Sequence, residues 1–321
     1  MNHQNKQSTV LLAGARGFVG RHVVNAFAEF APSTRIIRLV RPAVIPRSLE
    51  GQIDWDLCDD RCDELAKQMQ LLGVTAVVNC TGTTVSQPGL LQAENVQATE
   101  RLVAAAVAAK SDMVFCQIGS GAEYEMLSRP EKTREDTPTR PQGEYGRSKL
   151  DASKIVINTA QQGGLKGYVL RFFNPLGVGM PSTQLLGRVT DYLKGDSSYP
   201  LRLGSLDSYR DYVDARDAAR AIVLSLAKAD DIFGEIFNVG TGSARSTREL
   251  VQMIFSGIKT KTFLEDSMVG SPRSDWANWQ EADIAKIDTF IRWRPAFSFE
   301  ETISYLSLQS CESGFARRLL S

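Results

Sequence analysis

The chain has 321 residues, with 37 Lys+Arg against 37 Asp+Glu, 43% hydrophobic and 23% charged residues. These proportions fit one large or two modest globular domains, and the zero formal charge excludes the broad electropositive surface of a nucleic-acid or anionic-membrane binder. Its two histidines, His3 and His22, are too few for a Ser-His-Asp triad, an HExxH zinc site or a Cys/His cluster, so any acid–base chemistry must use other groups and no metal site is expected.

In chain order, short apolar runs at 10–13, 36–40, 76–80, 113–118 and 168–173 alternate with helical apolar spacing at 21–29, 61–72, 91–109 and 148–161. The alternation predicts βαβ units and a parallel sheet with helices on both faces. The run VVNC, apolar almost throughout, fits a strand covered on both sides. After Asn174 the chain becomes turn-rich, with a helix predicted over 214–227, a strand over 235–239, and further helices over 247–254 and 299–306. Five cysteines show no disulfide-framework spacing, the start MNHQNKQST is polar, and no apolar run approaches the roughly 18 residues of a membrane span; a cytoplasmic setting is expected.

The first strand runs into Gly14-Ala15-Arg16-Gly17-Phe18-Val19-Gly20, with a helix directly after it. This GxxGxxG spacing between strand and helix is a dinucleotide-binding arrangement. The first glycine permits the tight turn, the second lets backbone approach a pyrophosphate, and the third lets helix and strand pack closely. The helix N-terminus supplies N–H donors and positive dipole. An NAD site places an acid about 20 positions further on; here Arg41 stands there instead. Arg41 and Arg16 can pair with a 2′-phosphate, so NADP(H) is the preferred cofactor and NAD(H) the alternative. Asp56 and Leu57, after the third strand, can reach the adenine edge.

Tyr145 and Lys149 are four residues apart at the start of a helix and share a face. A phenol with a pKa of about 10 is a poor catalyst at neutral pH, and an ammonium held beside it favours the phenolate. The strand at 113–118 runs into Gly119-Ser120-Gly121-Ala122-Glu123-Tyr124. The C-terminal edge of a parallel strand faces the cofactor crevice, which lets Ser120 hydrogen-bond a carbonyl oxygen.

With these motifs in this order, the sequence resembles the extended short-chain dehydrogenase/reductase family, specifically its nucleotide-sugar epimerases, dehydratases and reductases. The resemblance covers nearly the whole chain: GARGFVG, Asp56-Leu57, Asn95-Val96, the Ser120 strand end, YGRSK, LRFFNPLGVG, Arg210-Asp211-Tyr212-Val213-Asp214, GEIFNVGTG, and Arg273 with Asp283 and Lys286 before Trp293-Arg294-Pro295. It implies an α/β fold: a Rossmann-type doubly wound parallel sheet from 1–174 plus 211–241, and a smaller α/β substrate-binding domain from 175–210 plus 242–321. It implies Ser120, Tyr145 and Lys149 as the catalytic triad. Cys80, Thr81, Gly82, Asn95 and Phe173 would join the glycine loop, Arg41, Asp56 and Leu57 around the cofactor. Ser120, Tyr145, Asn174, Arg210, Tyr212 and Arg273 would surround a nucleotide-diphosphate sugar. A homodimer through a four-helix bundle is also implied.

Departures from the family pattern narrow the reaction. Gly121 and Ala122 stand where the 4,6-dehydratases carry an Asp-Glu pair, so dehydration is not expected. Epimerase–reductases that make GDP-fucose use a Cys at the Gly121 position and a downstream His, and this chain has no histidine after His22. Trp276 replaces an acid near the uridine ribose, which leaves the base open. Gly82, Ala98 and Glu125 replace residues more usually Ala, Gly and Gly. Two reactions remain: NADPH-dependent reduction of a nucleotide-activated 4-keto-(6-deoxy)sugar, and NAD-dependent 4-epimerisation. An epimerase recycles its cofactor and gains nothing from NADP selectivity, so Arg16 and Arg41 favour the reductase. The stretch GSLDSYRDYVDARD also resembles the GDP-4-keto-6-deoxymannose reductases. A non-catalytic NADP(H)-binding regulator is the second alternative, although such relatives usually lose the Tyr or Lys kept here.

Overall fold

Every residue of TVLLA and AVVN is buried, so neither segment has a solvent face, and the two lie side by side in the middle of a sheet. The computed structural model describes residues 8–42, 51–58, 61–85, 87, 89–110, 112–195, 199–256, 262–265 and 279–307. The first half comprises β1 (Thr9–Ala13), α1 (Phe18–Phe30), β2 (Arg35–Val40), β3 (Gln52–Asp54), α2 (Cys62–Leu71), β4 (Ala76–Asn79), α3 (Ala98–Ala109), β5 (Val114–Ser120), α4 (Glu144–Gln161) and β6 (Lys166–Phe172). There follow β7 (Pro175–Leu176), α5 (Leu185–Lys194), β8 (Leu201–Leu203), β9 (Tyr209–Asp211), β10 (Val213–Asp214), α6 (Ala215–Leu226), α7 (Ala229–Ile232) and β11 (Ile236–Val239). The last elements are β12 (Ala244–Ser246), α8 (Thr247–Ser256), β13 (Phe263–Glu265), β14 (Trp279–Gln280), α9 (Ala285–Ile291) and a helix over 299–307.

The central sheet has seven strands in the order β11-β6-β5-β4-β1-β2-β3, with every neighbouring pair parallel. It is a Rossmann-like, doubly wound α/β fold. Alternate residues feed two cores. Val10, Leu12, Val78, Cys116, Tyr168 and Leu170 pack with α1 and α6, and Leu11, Ala13, Val77 and Phe115 pack with α2, α3 and α4. Burying a Val, Leu, Ile or Phe side chain contributes about 1.5–3 kcal/mol, so the period-two alternation fixes strand register on both faces at once. In α1, Gly20, Val23 and Phe27 fall on one buried face, and the helix ends at Ala31, before Pro32.

A third core gathers Leu176, Leu186, Val189, Leu203, Tyr212, Leu250, Ile254 and Ile303 from the turn-rich second half. Short strands missed by the sequence reading support it: β9 pairs antiparallel with β12 and parallel with β14, and β8 pairs with β13. The predicted helix over 91–109 is also not uniform. It opens with a π-helical turn at Gln92–Gln97, where the Asn95 side chain is tied to the preceding loop rather than facing solvent.

The second half is fastened to the sheet by Asp217 on α6, which is fully buried. Its carboxylate accepts from Ala296 N and Phe297 N, both at 2.9 Å, and from Arg220, while its carbonyl accepts from Trp293 Nε1 at 3.0 Å. Asp217→Ala strands these buried donors and should lower unfolding free energy by about 2–4 kcal/mol, seen as a lower urea midpoint. Arg134→Ala, which removes only an exposed ion pair with Asp136, should leave the midpoint unmoved.

Candidate functional site

Strand order reverses between β1 and β4, which opens a crevice at their C-terminal ends. Gly14 directly follows β1 with φ 76°, and a Cβ on it would lie 2.7 Å from the Cys80 carbonyl oxygen. A Cβ on Gly20 would lie 2.2 Å from the Gly14 carbonyl oxygen, so this glycine lets α1 fold back on the loop. Gly17 N–H closes the turn on Gly14 O at 2.9 Å. No side chain caps the N-terminus of α1 and no acid occupies its first turn. Its N–H groups and positive dipole end are therefore available to an anion, and the cradle has the shape and polarity a pyrophosphate requires.

Around this cradle Phe18 and Val19 are half-buried, and Arg16 is exposed without an ion pair to another described residue. Arg41 is committed in part. Its Nη2 donates to Glu94 Oε1 at 2.8 Å, and that bond raises the guanidinium pKa above its ordinary value. Its Nε lies 4.0 Å from Asp56 Oδ1. A phosphate at Arg41 has to displace or share the partly buried Glu94 and the exposed Asp56. The loop after β3 is held by Cys58 N to Asp56 Oδ1 at 2.9 Å and by Arg101 to the Leu57 carbonyl at 3.0 Å.

After β4, Thr81 donates its N–H and hydroxyl to Asn79 Oδ1. Gly82 has φ 129°, and a Cβ there would lie 2.6 Å from Asn95 Oδ1 and 3.9 Å from Lys149 Nζ. Asn95 Oδ1 accepts from Thr83 N at 2.7 Å, while Nδ2 donates to Thr83 O and to Ser148 Oγ. Asn95 thus spends its bonding capacity tying the 81–83 loop to α4, a scaffold position beside the crevice rather than an open donor within it.

Of the three candidate catalytic residues, Ser120 ends β5, Lys149 bonds to that strand, and Tyr145 lies on the turn of α4 that packs against its end. Lys149 is buried, and its Nζ donates to Ile118 O at 2.5 Å, two residues before Ser120. Tyr145 lies one turn earlier on α4. A Cβ on the next residue, Gly146, would stand 2.2 Å from Ala122 O, so the N-terminus of α4 rests directly on the turn after Ser120. Ser120 Oγ accepts from Ala122 N at 3.2 Å and Ser120 N–H donates to Glu123 Oε1 at 2.7 Å, a capping box around Gly121–Glu123.

Beyond this edge, Asn174 holds φ 33° and donates Nδ2 to Asp211 O at 3.1 Å and to Gln280 Oε1 at 2.9 Å. A non-glycine residue in that conformation is retained where local bonds over-determine it. Gln280 pairs in register with Arg210, and its Nε2 sits 2.9 Å from where a Gly121 Cβ would be. Burial pushes the Arg210 guanidinium pKa down, and its Nη1 has no partner among the described residues. Phe173 is fully buried beside Tyr124. Tyr212 belongs to the third core: its OH lies 2.8 Å from Thr247 Oγ1 and its ring stacks on Phe299. Arg273 and Trp276 lie outside the described residues. The sequence reading missed Glu123 and Gln280. The S-x-x-E pattern of Ser120 and Glu123 was a usable capping-box signal, whereas Gln280 reaches the site only through long-range strand pairing. Among the described residues no His, Cys, Asp and Glu cluster can hold a metal, and no helix is long and apolar enough to cross a membrane.

A family model, the NAD dependent epimerase/dehydratase family, matches residues 10–240. dTDP-6-deoxy-L-talose 4-dehydrogenase (NAD(P)(+)) from Kitasatospora kifunensis is 29% identical over 303 residues, 92% of this chain and 94% of that protein. UDP-glucose 4-epimerase from Azospirillum brasilense is 27% identical over 297 residues, 82% of each. Among solved structures, MoeE5 in complex with UDP-glucuronic acid and NAD matches with TM-score 0.79 at 24% identity, covering 95% of this chain and 100% of that one. RMD from Pseudomonas aeruginosa complexed with NADPH matches with TM-score 0.76 at 22% identity, covering 96% and 100%. The chain belongs to the NAD dependent epimerase/dehydratase family, enzymes that modify nucleotide sugars with a nicotinamide dinucleotide.

Gly14→Ala forces a side chain onto the Cys80 carbonyl at a positive φ. It should abolish NAD(P)H binding in a fluorescence titration, whereas Gly163→Ala, at a similar φ of 75° but with nothing within 4 Å, should bind as wild type does.

Proposed function

We propose that the protein is an NADP(H)-preferring oxidoreductase acting at C4 of a nucleotide-activated 6-deoxysugar, reducing the 4-keto form. The reading is supported by the end of β5, where Lys149 is anchored two residues before Ser120 and the first turn of α4, which carries Tyr145, rests on the turn after it, while Gly121 and Ala122 put no carboxylate next to the hydroxyl in sequence. With no carboxylate at those two positions, and Glu123 buried and hydrogen-bonded through both oxygens, water elimination has no free acid–base pair, and carbonyl reduction or its reverse is what the groups support. The relative from K. kifunensis is named for 4-dehydrogenation with NAD(P)(+), and the reverse of that chemistry is 4-keto reduction.

The glycine loop, the α1 N-terminus and Arg16 would hold the dinucleotide, with Arg41 choosing for a 2′-phosphate. The nicotinamide, when bound, supplies the hydride that reaches C4. Tyr145 delivers its phenolic proton to O4, and Ser120 donates a hydrogen bond to the same oxygen. The positive charge of Lys149, one turn from Tyr145 and anchored on Ile118 O, stabilises the phenolate left behind. Arg210, partly buried and with no ion pair among the described residues, is suited to a diphosphate oxygen. In this account residues 1–174 plus 211–241 bind the cofactor, residues 175–210 plus 242–321 bind the sugar nucleotide, and two copies associate through α3 and α4.

The second reading is a 4-epimerase, favoured by the 27% identity to a UDP-glucose 4-epimerase; it needs cofactor that stays bound and is not consumed. NADPH oxidation with a panel of dTDP-, GDP- and UDP-4-keto-6-deoxysugars tests the proposal. One panel member should turn over with net NADPH loss, and turnover of none would overturn it. Tyr145→Phe should lower kcat by about 10²–10⁴-fold while NADPH still binds. Arg210→Met should raise KM for the sugar nucleotide by about tenfold or more with kcat less affected. Wild-type kinetics in either variant would contradict the assigned role.

A further inference from the structure

Glu123 is fully buried and accepts three hydrogen bonds: from Ser120 N at 2.7 Å, from Ser153 Oγ on α4 at 3.0 Å and from Arg171 Nε at 2.7 Å. Its partner Arg171 is equally buried, with its guanidinium carbon 4.3 Å over the Tyr124 ring. Tyr124 OH donates to Asn238 Oδ1 at 2.8 Å, and Asn238 Nδ2 donates to Thr133 O at 2.9 Å. Thr133 bridges to Ala282, two residues after the Gln280 that bonds Asn174. A continuous set of contacts therefore runs from the Ser120 backbone to the segment that follows β14.

A buried ion pair is weak evidence for stability, because a well-packed apolar pair of the same volume often serves as well or better. Location is the informative feature here. One carboxylate oxygen holds the main-chain N–H of Ser120, and the neighbouring Gly119 leaves it room, since a Cβ there would lie 2.6 Å from Glu123 Oε1. Within the same capping box Ser120 Oγ accepts from Ala122 N. With that lone pair engaged by an amide, the hydroxyl proton remains to be donated elsewhere.

We propose that Glu123, supported by Arg171, is a positioning residue that fixes the Ser120 turn so that its hydroxyl donates to the substrate oxygen. The inference rests on the role assigned to Ser120 above. Neither side chain touches substrate or cofactor; the pair acts through Ser120.

The test compares two double variants, neither of which leaves a buried unpaired charge. Glu123→Gln with Arg171→Gln keeps an acceptor for Ser120 N–H. Glu123→Met with Arg171→Met fills the volume and removes that acceptor. Both are compared for thermal midpoint, NADPH binding, kcat and KM for oxidation of dTDP-6-deoxy-L-talose with NADP⁺, and amide exchange across 118–124 by mass spectrometry, which needs no substrate. Both should fold and bind NADPH. The Met pair should lose about 10- to 100-fold in kcat with KM unchanged, part of the loss expected for removing a preorganised donor, and should exchange faster across 118–124. The Gln pair should retain both properties. Equal kcat or equal exchange protection in the two variants overturns the proposal. Full activity in Ser120→Ala overturns it through the site reading beneath it, an outcome distinguishable because it does not depend on Glu123.

Discussion

A Cβ on Gly146 would stand 2.2 Å from the Ala122 carbonyl oxygen, and one on Gly20 would stand at the same distance from that of Gly14. Main chain meets main chain at these places without room for a side chain, and the arrangement of the site follows from it. The approach at Gly20 sets the first turn of α1 over the end of β1, which turns a glycine loop into a cradle of N–H donors. The approach at Gly146 sets the first turn of α4 on the turn after β5, which brings Tyr145 and Lys149 to the Ser120 edge. A larger residue at either position would have to move a helix, so the proposed cofactor cradle and the proposed proton-transfer groups share one steric requirement.

Electrostatics divide the same way. A neutral chain cannot attract an anionic substrate at long range, so recognition must be local. Several surface charges are paired with a neighbour: Arg41 with Glu94, Arg248 with Asp207 and Glu265, Lys286 with Glu235. Inside, Arg171 has Glu123, whereas Arg210 is desolvated and has no ion pair among the described residues. A desolvated cation without a counter-ion is costly unless something supplies the opposite charge, and the proposed diphosphate would supply it.

Much of this was legible in the sequence, and the physical reasons are specific. The strands of the sheet are apolar runs in a parallel arrangement, and the glycine loop and Tyr145/Lys149 pair are local patterns whose spacing alone sets their geometry. Helix α1 was read as starting at 21, whereas it starts at Phe18, because its first turn is made by the glycine loop itself. The irregular second half was harder: strands of two or three residues such as β9 and β14 form by long-range pairing and leave little period-two pattern. Gln280 and the Arg171 partnership of Glu123 were invisible for the same reason, and Tyr212 proved to be committed to a packed core that one segment's pattern does not reveal.

As proposed, this site moves a hydride and a proton to C4 of a nucleotide-activated keto sugar with net consumption of cofactor. Incubation with NADPH deuterated at the transferred position, followed by mass and NMR analysis of the sugar, measures it most directly. One deuterium at C4 of the product is expected for each NADPH oxidised. Inversion at C4 with no deuterium incorporated and no loss of NADPH would contradict it and identify an epimerase.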